Sequence, residues 1–225
     1  MSPEEARRLE PGVPRGLSRA FLVPDATIDP FRLAWMNAEA ATALGAQYRL
    51  YREVVGFERS GSGINGVLIK DRRTGEVERI SCELVVNAAG AWAGQVAALA
   101  GVRIKMLYSR GALLVFGQRL TQRVINRCRI PGDGDILVPG GTVSIVGTTS
   151  VRTEDPGDSK VDPRETERVL GLSADLFPEA PGARILRAYA GVRPLYFPGK
   201  GGTIGDSEDV GPDGNAGGDA DRDAG

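Results

Sequence analysis

The sequence predicts an α+β fold, a mostly antiparallel sheet accompanied by helices, and three observations carry that prediction. Strand-length apolar runs separated by Gly- and Ser-containing turns occupy Tyr48 to Val86 and recur from Ala112 to Val146. Three helix starts carry a capping residue followed by proline: Ser2-Pro3, Asp29-Pro30 and Asp162-Pro163. Finally, the apolar stretch Glu83 to Val86 runs through Asn87-Ala88-Ala89 into a helix directly after Gly90, a compact strand-to-helix turn with α/β character.

The elements follow in chain order. Ser2 and Glu5 form an S-x-x-E capping box around Pro3, so the chain opens on a helix. A short strand is expected at Arg19–Val23. The helix after Asp29-Pro30 presents an apolar face of Leu33, Met36, Ala40 and Leu44, and Gly45 ends it. Strands are expected near Tyr48–Arg59, Gly66–Lys70 and Glu78–Val86, the last two joined by the Thr74-Gly75 turn. The helix after Gly90 is expected to bury Trp92, Val96 and Leu99 and to stop at Gly101. Further strands are Ala112–Phe116 and a hairpin, Asp135–Val138 with Thr142–Val146, turned at Pro139-Gly140-Gly141. The helix capped by Asp162 and Glu165 buries Val169, Leu172 and Leu176, and a last strand, Ile185–Ala190, leads into Gly191-Val192-Arg193-Pro194.

Composition narrows the chemistry. The 225 residues contain no histidine, which removes a Ser-His-Asp triad, an HExxH zinc site and a histidine general base. Cys82 and Cys128 give neither a disulfide framework nor a zinc spacing, and both are expected in the core or in strands. No metal site is assigned. The formal charge of −1 gives no signal for a nucleic-acid partner. It hides an asymmetry, because from Lys200 onward seven side chains are acidic and two basic, leaving the rest of the chain basic and suited to an anionic ligand. No apolar run is long enough to span a bilayer and the first residues lack a signal-peptide core, so a cytoplasmic location is the expectation.

Two patterns are set aside on context. Gly61-Ser62-Gly63-Ile64-Asn65-Gly66 matches G-x-G-x-x-G, but that fingerprint works only where a strand feeds a helix. Here Val67-Leu68-Ile69-Lys70 follows, so a hairpin loop is the reading. Asp219, Asp221 and Asp223 alternate as in a calcium loop, yet lack the glycine and distal glutamate such a loop needs. Residues 198–225, rich in Gly and Asp, are expected to form a disordered tail.

The stretch Val85-Val86-Asn87-Ala88-Ala89-Gly90-Ala91-Trp92 puts small side chains at a helix start, where a ligand can approach the backbone and anionic groups are favoured. Its surroundings make it specific. In order come P-D-x-T-x-D-P-F-R-L (Pro24–Leu33), a strand ending at Glu53-Val54, the Thr74-Gly75-Glu76 hairpin, VVNAAGAW, and NRCRIP (Asn126–Pro131). DILVPGGTVSIVGTTS (Asp135–Ser150) and ILRAYAGVRPL (Ile185–Leu195) complete the series. Together these resemble the FAD-dependent glycerol-3-phosphate dehydrogenases of the anaerobic catalytic-subunit type, within the D-amino-acid-oxidase-like flavoprotein superfamily.

The resemblance implies a substrate, sn-glycerol 3-phosphate, a cofactor, FAD, and further subunits of a membrane-associated dehydrogenase complex, with the protein peripheral at the inner membrane face. It places Val54 beside the adenine, Ala88, Ala89, Gly90 and Trp92 against the cofactor, and Thr148 and Thr149 (with Gly147) near the active-site cavity. Arg193 would hold the substrate phosphate, the role a guanidinium fork fills best. Arg110 stands where relatives carry lysine and receives no catalytic role; no catalytic residue is assigned. Residues 1–197 are expected to be a partial FAD-dependent oxidoreductase domain, 1–45 and 105–197 on the substrate side and 46–104 on the FAD side. The FAD part would be of the glutathione-reductase-like type with its N-terminal Rossmann unit missing. Both ends are expected to be cut, the second by a frameshift. Two other readings stand beside this one: another oxidoreductase of the superfamily, such as an amino-acid oxidase, and a truncated, non-catalytic fragment.

Overall fold

A computed structural model describes residues 1–61 and 63–196; the Gly/Asp-rich tail and its alternating aspartates lie outside the described residues. The fold is a mixture of helices and two antiparallel sheets. Helix α1 (Pro3–Leu9) carries the expected capping box, with the Ser2 hydroxyl accepting from Glu5 N–H and the Glu5 carboxylate accepting from Ser2 N–H. Helix α2 (Pro30–Ala43) is capped by Asp29, whose carboxylate accepts from the N–H groups of Phe31 and Arg32. Gly45, at φ +95°, closes it in a conformation that costs other residues a steric penalty.

Strands β1 (Arg52–Ser60), β2 (Gly63–Asp71) and β3 (Val77–Ser81) form a three-stranded meander in the order β1-β2-β3. Ser60 pairs with Gly63 across the β1–β2 turn, so the G-x-G-x-x-G match sits in a hairpin. Helix α3 (Ala93–Leu99) packs against β1, and Gly101 at φ +72° follows it.

The larger sheet is built on β4 (Met106–Phe116), with β5 (Ile125–Asn126), β6 (Ile136–Gly140), β7 (Val143–Gly147), β8 (Val151–Thr153) and β9 (Ile185–Tyr196). The path runs β5-β6-β7-β4-β8, and β9 pairs with β4 along its whole length. Because β9 occupies one edge of β4, β7 and β8 follow one another along the other edge, β7 opposite residues 113–116 and β8 opposite residues 108–110. Helix α4 (Pro163–Ser173) has a second capping box, from Asp162 and Glu165, and packs against β4 and β7.

Alternation along β4 sorts the sheet into two faces. Ala112, Leu114 and Phe116 are buried; the last two join Leu137, Val146, Val169, Leu176 and Phe177 in one core under α4. Ser109, Gly111 and Leu113 point the other way, each directly opposite a residue of β9 that shares their face: Arg193, Gly191 and Tyr189. α1 is tied to this body through buried Glu10, both of whose carboxylate oxygens accept from Gln122 N–H at 3.1 Å.

Several expectations are corrected. Arg19–Val23 is not a strand; Phe21, Leu22 and Val23 lie exposed beside no ladder partner, and Ala20 is tied to Met1 instead. The third strand of the meander stops at Ser81, and Leu84 and Val86, each 80% exposed, pair with no strand among the described residues. The helix after Gly90 begins as one tight 3₁₀ turn (Gly90–Trp92), and it buries Ala91 and Ala97 while Trp92 and Leu99 are about half exposed. The Leu33, Met36 and Leu44 face of α2 is exposed. Cys128 is exposed and Cys82 half-buried, both outside strands. The last strand runs on past Ala190 and carries Arg193 within it.

Candidate functional site

The register of β4 against β9 assembles the site. Ser109 and Arg193 are cross-strand partners, and Gly111 pairs with Gly191 next to them. The Arg193 guanidinium lies over Gly111, occupying the space that any side chain at that position would need. Gly111 is therefore a close-approach glycine, absent a Cβ so that the arginine can lie flat on the strand. Gly191, by contrast, has open space where a Cβ would sit.

Arg193 donates to the Thr148 hydroxyl, to the Thr149 carbonyl from both terminal nitrogens (3.4 and 3.3 Å), and to the Ser109 hydroxyl at 3.5 Å. Ser109 in turn shares a 2.8 Å hydrogen bond with Ser150. All of these partners are neutral. Among the described residues Arg193 forms no ion pair with a carboxylate, although the protein contains many Arg–carboxylate pairs.

Arg110, one residue from Ser109, does the opposite. It points to the α4 side, where it pairs with Asp158 at 2.9 Å and Glu165 at 2.5 Å. Burial raises the Asp158 carboxyl, but the Lys160 N–H, the Arg110 guanidinium and the Thr153 hydroxyl outweigh it and hold the group below the usual aspartate range. Glu165, the capping-box residue of α4, also accepts the Thr149 hydroxyl at 2.6 Å. Arg110 is thus consumed by a structural ion-pair network.

The other predicted positions lie as follows. Thr148 and Thr149 fall in the gap between β7 and β8, beside Arg193, with the Thr149 hydroxyl buried and engaged by Glu165 and by Ala112 N–H. The Ala88-Ala89-Gly90 turn is clipped by Asn87, whose side chain accepts from Ala89 N–H and donates to the Ala93 carbonyl. Gly90 takes φ +56°, with nothing near where a Cβ would point. The Gly90–Trp92 turn contacts β9, which brings it toward the Arg193 strand. The half-exposed indole of Trp92 also comes close to Gly157. Val54 lies apart in β1 beside a register irregularity and pairs with Ile69.

Ser109, Gly111 and Glu165 were not singled out as site residues. Glu165 is visible in the sequence as a capping residue, which conceals its second role. Ser109 and Gly111 have no local signal, because only the β4–β9 register brings them to Arg193.

The site thus sets a guanidinium whose partners among the described residues are all neutral oxygens on one face of an antiparallel sheet, with the small-residue Ala88-Ala89-Gly90 turn brought toward the same strand. Residues 1–216 match the family described as FAD dependent oxidoreductase, and the chain belongs to that family. It is 44% identical over 197 residues to one of the subunits of the anaerobic glycerol-3-phosphate dehydrogenase of Escherichia coli (strain K12), an alignment covering 87% of this chain and 36% of that protein. The chain thus spans little more than a third of that relative's length. Among solved structures, glycerol-3-phosphate dehydrogenase from Bacillus halodurans complexed with FAD superposes with a TM-score of 0.76 at 23% identity, covering 88% of this chain and 42% of that one. Glycine oxidase from Geobacillus kaustophilus superposes at 0.73 with 25% identity, covering 95% and 55%.

Proposed function

We propose that this chain is the substrate-binding part of an FAD-dependent dehydrogenase that oxidises sn-glycerol 3-phosphate to dihydroxyacetone phosphate. The observation that carries the reading is Arg193: a half-buried guanidinium whose partners among the described residues are all neutral oxygens, so that no protein carboxylate offsets the charge a phosphate would meet. The name of the 44% identical relative supports a phosphate ester over other anions.

In this reading Arg193 binds the phosphate while the Ser109 and Thr148 hydroxyls keep the guanidinium from folding away. Gly191 leaves the room that the substrate needs beside it. The exposed, unbranched Ala88-Ala89-Gly90 turn and the half-exposed Trp92 fit the edge of a large planar cofactor: small residues permit close approach, and no acidic side chain of the turn repels its phosphates. FAD, when bound there, supplies the hydride acceptor for the carbinol carbon. The protein's own share is orientation and charge.

The finer architecture is part of the same proposal. Residues 1–45 and 105–197 form the substrate side and 46–104, with Val54, the cofactor side of a glutathione-reductase-like FAD-binding domain whose phosphate-gripping Rossmann unit is not among these residues. The Escherichia coli relative carries the name of one subunit of its enzyme, which supports partner subunits here. A peripheral position at the cytoplasmic face of the inner membrane rests on the family resemblance alone.

A second reading, an amino-acid oxidase, has the glycine oxidase superposition in its favour, and Arg193 would serve a carboxylate as readily. Calorimetric titration separates the two. Glycerol 3-phosphate is expected to bind more tightly than glycine or glycerol, and Arg193→Met to weaken it by about tenfold or more. Preferential binding of glycine would transfer the assignment to the amino-acid branch.

A further inference from the structure

Thr149 breaks the ladder in an unusual way. Its N–H donates to the Ala112 carbonyl at 3.3 Å, as a strand residue would, but Ala112 N–H donates to the Thr149 hydroxyl at 2.9 Å and not to its carbonyl. The side chain thereby replaces the main-chain acceptor. That substitution releases the Thr149 carbonyl, which takes both terminal nitrogens of Arg193.

A hydroxyl has a single proton, and here it goes to Glu165 Oε1 at 2.6 Å. The other carboxylate oxygen of Glu165 takes Arg110 and the Asp162 N–H at the first turn of α4. Glu165 is buried, Thr149 is 1% exposed, and Arg110 is anchored from its other side by Asp158. The rotor of Thr149 is thus fixed by a carboxylate that cannot itself swing. Without the hydroxyl, the buried Ala112 N–H would need a new partner, and the main-chain oxygen of the same residue is the one Arg193 uses; without Glu165, nothing holds the hydroxyl rotor where it accepts that N–H.

We infer that Glu165 and the Thr149 hydroxyl are positioning residues for Arg193, setting the anion-binding guanidinium from the opposite side of the sheet. This rests on the reading of Arg193 as the anion site. It also assigns a purpose to the Asp158–Arg110–Glu165 network, which otherwise looks like a plain support for α4.

The test reads Arg193 directly. In NMR spectra of the full chain, the Arg193 side-chain Nε–H and Nη signals are expected to report a restrained guanidinium. Thr149→Val, which removes the hydroxyl, and Glu165→Leu, which removes its acceptor, should release it, while Thr149→Ser, which keeps the hydroxyl, should retain the wild-type signature. In titrations with glycerol 3-phosphate the first two variants should bind about tenfold more weakly and Thr149→Ser within about twofold of wild type. Circular dichroism identifies any variant that fails to fold, and the other of the two then carries the test. Wild-type guanidinium signals in folded Thr149→Val or Glu165→Leu would overturn the inference and leave Arg193's own role standing. If Arg193→Met instead binds glycerol 3-phosphate as wild type does, the anion-site reading itself falls, and this inference with it.

Discussion

Helices α2 and α4 begin with the same two-residue signature, Asp-Pro, and both caps form as hydrogen bonds to the first turn. Beyond that they have opposite fates. α4 buries Val169 completely, sends Glu165 into a polar network, and lies over a sheet whose inner face holds Leu114, Phe116, Leu137 and Val146 at essentially zero exposure. α2 buries nothing: Phe31, Trp35 and Met36 are mostly exposed, and with Tyr48 and Leu50 its residues line an open apolar groove. Capping and composition therefore decide that a helix forms, whereas a covering surface decides whether it contributes to stability. The candidate anion site belongs to the first kind of region. Arg193 stands on a strand paired along its whole length with the central strand of a packed sheet, and such support suits a residue that must hold its geometry.

The contrast can be broken by substitution. Phe116→Ala, at a fully buried position, should destabilise the folded chain by about 3–5 kcal/mol in a denaturant titration. Asp162→Ala removes the cap of α4 and should cost about 1 kcal/mol by the same measurement. At the small end, Trp35→Ala should shift stability by no more than about 0.5 kcal/mol despite deleting the largest side chain on α2. A loss near that of Phe116→Ala would mean that α2 is covered.

Acid sharpens the same difference. The Asp158 carboxyl is held below its ordinary range in the folded state, so it stabilises the fold at pH above the unfolded value, about 4, and that contribution disappears as pH falls through the lower folded value. Thermal melts should therefore show an acid limb below about pH 4 that Asp158→Asn makes shallower. Melting of α2, followed by Trp35 fluorescence, should not follow that limb, because none of the Asp158 partners lies on it.

Much of this was legible in the residues. The helix starts at Pro3, Pro30 and Pro163 came from cap-and-proline chemistry, and the 135–146 hairpin from its Gly-Gly turn, all local signals. Failures came where the outcome depended on something distant. Glu83–Val86 has strand composition but no paired strand among the described residues, and Trp92 has a large apolar side chain that the described residues leave half exposed. Arg193 is marked by the G-V-R-P-L motif around it, whereas its oxygens, Ser109, Thr148 and the Thr149 carbonyl, are brought together by strand register across dozens of residues. The role of Glu165 was masked for another reason: a capping box already accounts for a glutamate at that position.

Hydrogen exchange followed by mass spectrometry, with and without glycerol 3-phosphate, tests the packed sheet and its anion site together. Amides of β4, β7, β9 and α4 should be the slowest to exchange and those of α2 among the fastest. Added glycerol 3-phosphate should slow exchange further around residues 109–112, 148–150 and 191–193 and leave α2 unchanged. Protection of α2 equal to that of α4, or a ligand footprint away from the Arg193 strand, would contradict this arrangement.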